Sequence, residues 1–190
     1  MIDTALSFLK DELNTYLHTH GMDASMVQVV VSNIVDEAGK YAIQRGEVGI
    51  CLFNVEEERV LKSQLREYTY VNGQHVVIEP DLKLNLYIVI ASYMQSYEQA
   101  LKIISAILTY FQSHGHFTSD TYPALDQRIG KLIVELQALN YEQINQLWAF
   151  IGGKQLPSII YKLRMVVLQD QVQADVQPPI MIINNELGGR

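Results

Sequence analysis

Several residue types that would point to particular kinds of protein are scarce in this chain of 190 residues. It has a single cysteine, Cys51, so no disulfide can form within the chain, which fits a reducing compartment. Lys and Arg number 14 against 21 Asp and Glu, which gives a formal net charge of −7. Phosphate contacts require clustered basic side chains, so this balance argues against a general nucleic-acid-binding protein.

Long hydrophobic runs are also missing. No window holds the roughly 18 consecutive apolar residues of a membrane-spanning helix. The segment over 1–17 carries acids early and lacks a basic start followed by an apolar stretch, so we expect no signal peptide. Apolar residues make up 48% of the chain and charged residues 18%, which supplies a core and excludes a disordered chain. We expect one soluble, cytoplasmic domain without a membrane partner.

Hydrophobic periodicity predicts an alternation of helices and strands. Helices are predicted over residues 2–18, 97–114 and 141–151. Strands are predicted over residues 26–35, 47–55, 82–93, 131–138 and 158–168. A long hairpin is predicted over residues 56–78 with Asn72-Gly73 at its tip, because a type I′ turn requires positive φ at both central residues and Asn-Gly is favoured there. This order indicates an α+β fold with a mainly antiparallel sheet and helices packed on it.

The C-terminal segment differs in composition from the rest of the chain. We assign residues 1–169 to the α+β domain and residues 170–190 to an extended C-terminal arm. In the arm, apolar residues alternate with polar ones before Pro178-Pro179, which is typical of a half-buried strand. An apolar run follows the two prolines, and its full exposure to water would be unusual.

The triplet Gly152-Gly153-Lys154 raises the possibility of a phosphate-binding loop. Such a loop runs from a strand through glycines into a helix, so that helix amides point at the anion. Here the triplet follows a predicted helix and precedes a strand, which is the reverse order. Glycine just after a helix satisfies the last carbonyl groups, and Asn140 with Gln143 predicts a capping box at the helix start. We therefore predict no nucleotide site.

Two histidine pairs, His18-x-His20 and His114-x-His116, have a spacing that does not bring both side chains to one helix face. No cysteine lies near either pair, so we predict neither a metal nor another cofactor. Cys51, within a predicted strand, is interpreted as a small core residue.

Two further features keep alternative interpretations open. The acids Glu56, Glu57 and Glu58 could supply paired carboxylates for acid–base chemistry, although consecutive residues of a strand point to opposite faces. Trp148 lies on an apolar helix face, so it is either a core residue or an interface anchor.

Several stretches occur in one order that is typical of a known family. The most specific are NVEEER at 54–59 and the block over 140–165, and LNLYIVIAS at 84–92 lies between them. Together with matching stretches from residue 1 to about residue 167, the chain resembles the tail-terminator, or cap, family of extracellular contractile injection systems. These systems are phage-tail-like particles such as the antifeeding prophage.

The resemblance implies a phage tail-terminator-like α+β domain that is structural and not an enzyme. It implies a homo-oligomer, a six-fold ring, that closes the distal end of the inner tube and sheath. The implied partners are the inner-tube and sheath proteins, with assembly in the cytoplasm before the ring becomes part of the particle. The alternative function is a small-ligand binding module, or an enzyme using the acids Glu56 to Glu58.

A ring subunit needs two unlike surfaces that meet head to tail, because such heterologous contacts close when the rotation fits. We predict that the charged flank of the hairpin, the helix over 141–151 and the arm provide these surfaces. The predicted interface residues are Glu56, Glu57, Glu58, Arg59, Trp148, Val172, Val176, Ile180 and Ile182. We predict that the arm pairs as a strand with the sheath or with a neighbouring subunit. The alternative is that it folds back onto the edge of its own sheet.

Overall fold

The computed structural model describes residues 1–23, 26–58, 67–71, 74–78, 82–152, 154–167 and 176–177. For 67–71, 74–78 and 176–177 the description covers the backbone alone. The elements, in chain order, are α1 (Ile2–Thr19), β1 (Gln28–Val31), β2 (Glu47–Glu57), β3 (Glu67–Val71), β4 (Gln74–Ile78), β5 (Leu82–Tyr93), α2 (Tyr97–Ser113), β6 (His116–Phe117), β7 (Ile129–Leu136), α3 (Tyr141–Ile151), β8 (Ser158–Val167) and β9 (Val176–Gln177).

The main sheet has six strands in the order β1-β2-β5-β8-β7-β6. All neighbouring pairs are antiparallel except β1 and β2, which are parallel. Helices α1, α2 and α3 accompany this sheet. The predicted α+β fold with a mainly antiparallel sheet is therefore confirmed.

A second sheet contains the hairpin, but its strands are shorter than predicted, because Glu56 and Glu57 belong to β2 of the main sheet. Strands β3 and β4 pair antiparallel, and Val71 lies opposite Gln74 next to the turn. The turn residues Asn72 and Gly73 themselves lie outside the described residues. Strand β9 from the C-terminal arm pairs antiparallel with β4, so that Val176 lies opposite Val76.

The first strand is shorter than predicted, because the chain leaves the sheet after Val31. Val35 then forms an isolated bridge with Tyr41. The Asp36 carboxylate tightens the turn between them by accepting hydrogen bonds from the backbone amides of Ala38 and Lys40, at 2.9 and 2.8 Å. Residues 32–46 therefore form a separate flap that returns across the sheet.

Strand β6 was not predicted, since two residues are too few to show an alternating pattern.

Helices α1 and α2 cover one face of the main sheet, here called the first face. Leu86, Ile88 and Ile90 of β5 are fully buried there, at alternate positions of the strand. Where the helices meet, the Tyr110 hydroxyl of α2 donates to the Glu12 carboxylate of α1 at 2.9 Å.

Helix α3 and the flap cover part of the opposite face, here called the second face. Val89 and Ala91 of β5 are buried there against Trp148 of α3 and against Ile34 and Ile43 of the flap. The alternation along β5 therefore serves two hydrophobic cores, one on each side of the sheet. Toward the other end of β5, the residues of the second face are polar or charged.

Candidate assembly surfaces

The polar part of the second face includes acids at the end of β2 and just after it. The Glu56 carboxylate accepts hydrogen bonds from the Tyr87 hydroxyl at 3.1 Å and from the Asn54 amide at 2.9 Å. Glu58 accepts from the Asn85 amide at 3.0 Å. Burial, followed by the hydrogen bond to Glu56, raises the pKa of Tyr87, so this hydroxyl remains a donor at neutral pH. The acids are thus tied to the neighbouring strand β5.

The next two strands bring basic and acidic side chains to the same face. On β8, Lys162 lies over the Tyr87 ring with its Nζ 5.9 Å from the ring centre. Also on β8, Arg164 Nε lies 3.3 Å from a carboxylate oxygen of Glu135 on β7. Both partners of this pair are about two-fifths exposed, so the pair contributes only about 0–1 kcal/mol to stability. We call Glu56, Glu58, Asn85, Tyr87, Glu135, Lys162 and Arg164 the charged face.

Asn85 is the least exposed member of the charged face. Its side chain is 5% exposed. The Nδ2 group donates to Glu58, whereas Oδ1 has no hydrogen-bond partner within the described part of the chain. A buried acceptor without a hydrogen-bond partner lowers the stability of the fold by about 1–3 kcal/mol. Such groups are therefore rare in folded proteins and call for an explanation.

The structure places the other predicted interface residues in different settings. Glu57 is exposed and lies opposite Leu84, so its side chain points to the other side of the sheet from Glu56 and Glu58. Val176 pairs through its backbone with β4. Arg59, Val172, Ile180 and Ile182 lie outside the described residues, and their interface role stays a prediction.

Helix α3 buries its tryptophan and exposes two other aromatic residues. Trp148 is 5% exposed and packs in the core of the second face, as its core interpretation predicts. Tyr141 at the start of the helix is 93% exposed, and Phe150 near its end is 81% exposed. Sequence reasoning passed over both, although each lies outside the apolar stripe that includes Leu147 and Trp148.

A surface cavity of about 450 Å³ lies where several elements begin or end. It is bounded by the residues after α1, the starts of β1, β2 and α2, and the end of β5. Met22, Met26 and Met94 line it together with Arg45 and Lys102. We call it the methionine cavity. The sequence did not reveal it, because its lining residues come from segments that are far apart in the chain.

The glycine, histidine and cysteine residues considered above for nucleotide or metal sites take part in the folding and packing of the domain. Gly152 ends α3, as predicted, with a φ of 80° in the left-handed conformation that is common just after a helix. His18 Nε2 lies 3.2 Å from the backbone oxygen of Val27, and His114 stacks on Tyr110 with ring centres 4.8 Å apart. Cys51 is half-buried in the core of the second face, and burial raises the pKa of its thiol.

Among the described residues, no group of three or more His, Cys, Asp or Glu side chains could hold a metal ion. None of the described helices has the length and apolar character needed to cross a lipid bilayer.

Two solved structures share the described fold. A sheath/tube terminator of the extracellular contractile injection system PVC, in the extended state, has a TM-score of 0.65 and 15% identity, and the similarity covers 100% of this chain and 64% of that chain. The tube-terminating cap of the anti-feeding prophage has a TM-score of 0.58 and 12% identity, with 93% of this chain and 59% of that chain covered. The fold is thus that of a tube-terminator α+β domain.

The sequence profile of the Pvc16 N-terminal domain matches residues 4–181. The chain therefore belongs to the Pvc16 N-terminal domain family, which confirms the resemblance to terminator and cap proteins predicted from the sequence. No curated protein sequence is significantly similar to the chain. The chain spans 64% and 59% of the lengths of the two structurally similar proteins.

Proposed function

We propose that the chain is a structural subunit of a six-membered ring that closes the end of the inner tube and sheath of a contractile injection particle. The proposal is carried by the family match over 4–181, together with a fold shared over the whole chain with a sheath/tube terminator. The subunit assembles in the cytoplasm and then remains part of the particle, and it catalyses no reaction.

The surfaces of the domain support an assembly role. A ring subunit must offer unlike surfaces to its two neighbours and further surfaces to the structures that it closes. The charged face and the methionine cavity differ in chemistry, because the first carries acids and bases in adjacent strands and the second has a mostly apolar lining. The carboxylates of Glu56 and Glu58 are held in hydrogen bonds to neighbouring side chains, so no specific observation favours the enzyme alternative.

The test is to image the purified chain and to weigh it by native mass spectrometry. We expect six-membered rings, either in solution or at one end of particles assembled with a tagged copy of the chain. An unrelated subunit with the same tag controls for adventitious binding to particle ends. A chain that stays monomeric in solution and is absent from particle ends would refute the proposal.

A further inference from the structure

The methionine cavity has the properties of a docking site for an aromatic side chain. Met22 and Met94 are partly buried against the core of the first face, whereas Met26 at the rim is 67% exposed. Methionine side chains are flexible and polarisable, and they make favourable sulfur contacts with aromatic rings. The volume of about 450 Å³ lies within the roughly 300–1,000 Å³ usual for binding pockets.

Backbone hydrogen bonds hold the walls of the cavity in place. The Met22 amide donates to Leu17 O at 3.1 Å, and the Met26 amide donates to Asp23 O at 2.8 Å. Beside Met26, the Gly46 amide donates to Tyr93 O at 2.8 Å. A docking partner would therefore meet a cavity that already has its shape, which lowers the entropic cost of binding.

Arg45 places a positive charge beside the cavity. Its guanidinium lies over the Tyr93 ring, 5.8 Å from the ring centre, and its Nε donates to the Tyr93 hydroxyl at 3.4 Å. The Arg45 side chain is exposed, so its terminal amino groups can reach a partner. Lys102, the other cation of the cavity, forms an ion pair with Glu98 at 2.8 Å, which leaves Arg45 as the stronger recognition group.

The start of α3 carries an exposed aromatic side chain that matches the methionine cavity. Tyr141 has the largest exposed fraction of the large apolar side chains in the described part of the chain. The capping box holds this helix start, because the Gln143 amide donates to the Asn140 side chain at 2.8 Å and the reciprocal bond is 3.0 Å. The next residue, Glu142, is exposed and is the only charged residue of α3.

We propose that Tyr141 of one copy docks into the methionine cavity of the next copy, with Glu142 against Arg45. This inference rests on the ring form of the proposed function and names the contact between ring neighbours. A docked tyrosine would bury roughly 150–250 Å², which is typical of an anchor residue. Asp23 also lines the cavity, so the incoming carboxylate lies on the Arg45 side.

The two surfaces are unlike and lie on different elements of the subunit. Helix α3 covers the second face, whereas the cavity is built around the ends of α1 and β5 and the start of α2. A contact between two unlike surfaces is heterologous, so each copy uses one surface for each neighbour. Such contacts form a closed ring when the rotation between neighbours fits.

The experiment uses two single variants with opposite defects. Tyr141→Ala removes the anchor and leaves the cavity intact, whereas Met26→Glu places a charge at the cavity rim and leaves the anchor intact. Both side chains are exposed, so the folds should be unaffected. By native mass spectrometry, we expect each variant alone to need at least a tenfold higher concentration for ring formation. A one-to-one mixture should give a dimer with one subunit of each kind, joined by the single remaining intact contact, and no ring.

A charge exchange and two control variants complete the test. Arg45→Glu alone should weaken ring formation, and Arg45→Glu combined with Glu142→Arg should restore it. Phe150→Ala and Leu136→Ala remove exposed apolar side chains outside the contact, and both should form rings as the unaltered chain does. Normal rings from Tyr141→Ala, no dimer in the mixture, or loss of rings in Phe150→Ala would each overturn the inference and leave the proposed function intact. An unaltered chain that forms no ring, either alone or on particles, would overturn both.

Discussion

Gly49 of β2 allows the flap to lie directly against the main sheet. A Cβ atom at this position would lie 2.9 Å from Ile34 Cδ1 and 2.9 Å from Ile43 Cγ2. Real Cβ atoms almost never approach other heavy atoms so closely. Both isoleucines are nearly fully buried, so they have little space to move aside.

Replacing Gly49 by alanine should therefore destabilise the domain. Overpacking of a well-filled core typically costs about 1–3 kcal/mol, and we expect a loss of that size in the free energy of unfolding. Urea unfolding, followed by circular dichroism, measures it. Gly115→Ala is the matched control, because its added Cβ would meet its nearest atom, Phe111 O, at an ordinary 3.4 Å. Equal stability of the two variants would show that the flap does not pack as described.

At the scale of single residues, the sequence predicted the features that depend on nearby residues of the chain, such as the two ends of α3. The capping box of Asn140 and Gln143 and the end of the helix at Gly152 were predicted, because each depends on residues only a few positions away. The close approach at Gly49 could not be predicted. It depends on Ile34 and Ile43, which reach the sheet only after the flap has returned across it.

Among the elements, β1 shows how an outer strand can be protected from pairing with another chain. It lies at one edge of the main sheet. The Asn14 side chain of α1 donates to Val29 O at 3.0 Å and accepts from the Val29 amide at 2.8 Å. One turn further along α1, His18 Nε2 lies 3.2 Å from Val27 O. These side chains occupy the hydrogen-bonding positions that an added strand would use.

The change Asn14→Leu should open this edge. It removes both hydrogen bonds to Val29, and leaving partly buried backbone groups unpaired costs about 1–3 kcal/mol. We expect a lower free energy of unfolding, faster hydrogen exchange at the Val29 amide, and light scattering that rises with protein concentration. Ser7→Leu adds the same apolar side chain at an exposed position of the same helix and serves as the control. Scattering that rises equally in both variants would attribute association to the added leucine instead of the open edge.

Sequence predicted the long elements well and the short or irregular ones poorly. The strands predicted over 82–93 and 158–168 match β5 and β8, because apolar residues on both faces give them a strong signal. The parallel pairing of β1 with β2 was not foreseen. It depends on the path of the flap, which carries no periodic pattern.

Over the whole molecule, the candidate surfaces were only partly predictable. The acid run indicated Glu56 and Glu58, but the basic half of the charged face required the register that places Tyr87 of β5 opposite both Lys162 and Asn54. The methionine cavity likewise required the ends of distant elements to meet. Such surfaces are products of topology, and a linear pattern cannot show them.

Only residues 176–177 of the predicted C-terminal arm are described in the structure. In the described residues it pairs with the hairpin, through Val176 opposite Val76 and Gln177 opposite His75. This short pairing involves the second sheet and not an edge of the main sheet, whose last strand along the chain ends at Val167. The apolar run at 180–183 lies outside the described residues. Our prediction that the arm contacts a neighbouring subunit or the sheath stays open to test.

Deletion of residues 171–190 should separate the role of the arm from the stability of the domain. All six strands of the main sheet lie before the deletion, so the truncated chain should keep its unfolding midpoint and form rings. Hydrogen exchange should increase in β4, which loses β9 as its neighbour.

On particles, we expect the truncated ring to be missing from sheath ends, because an extended strand adds to a partner sheet through its main-chain hydrogen bonds. A control with Ile180 and Ile182 changed to Ser keeps the length of the arm and should show the same seating defect if the apolar run makes the contact. A truncated chain that is unstable would identify the arm as part of the folded domain, and one that seats normally would rule out an assembly role for it.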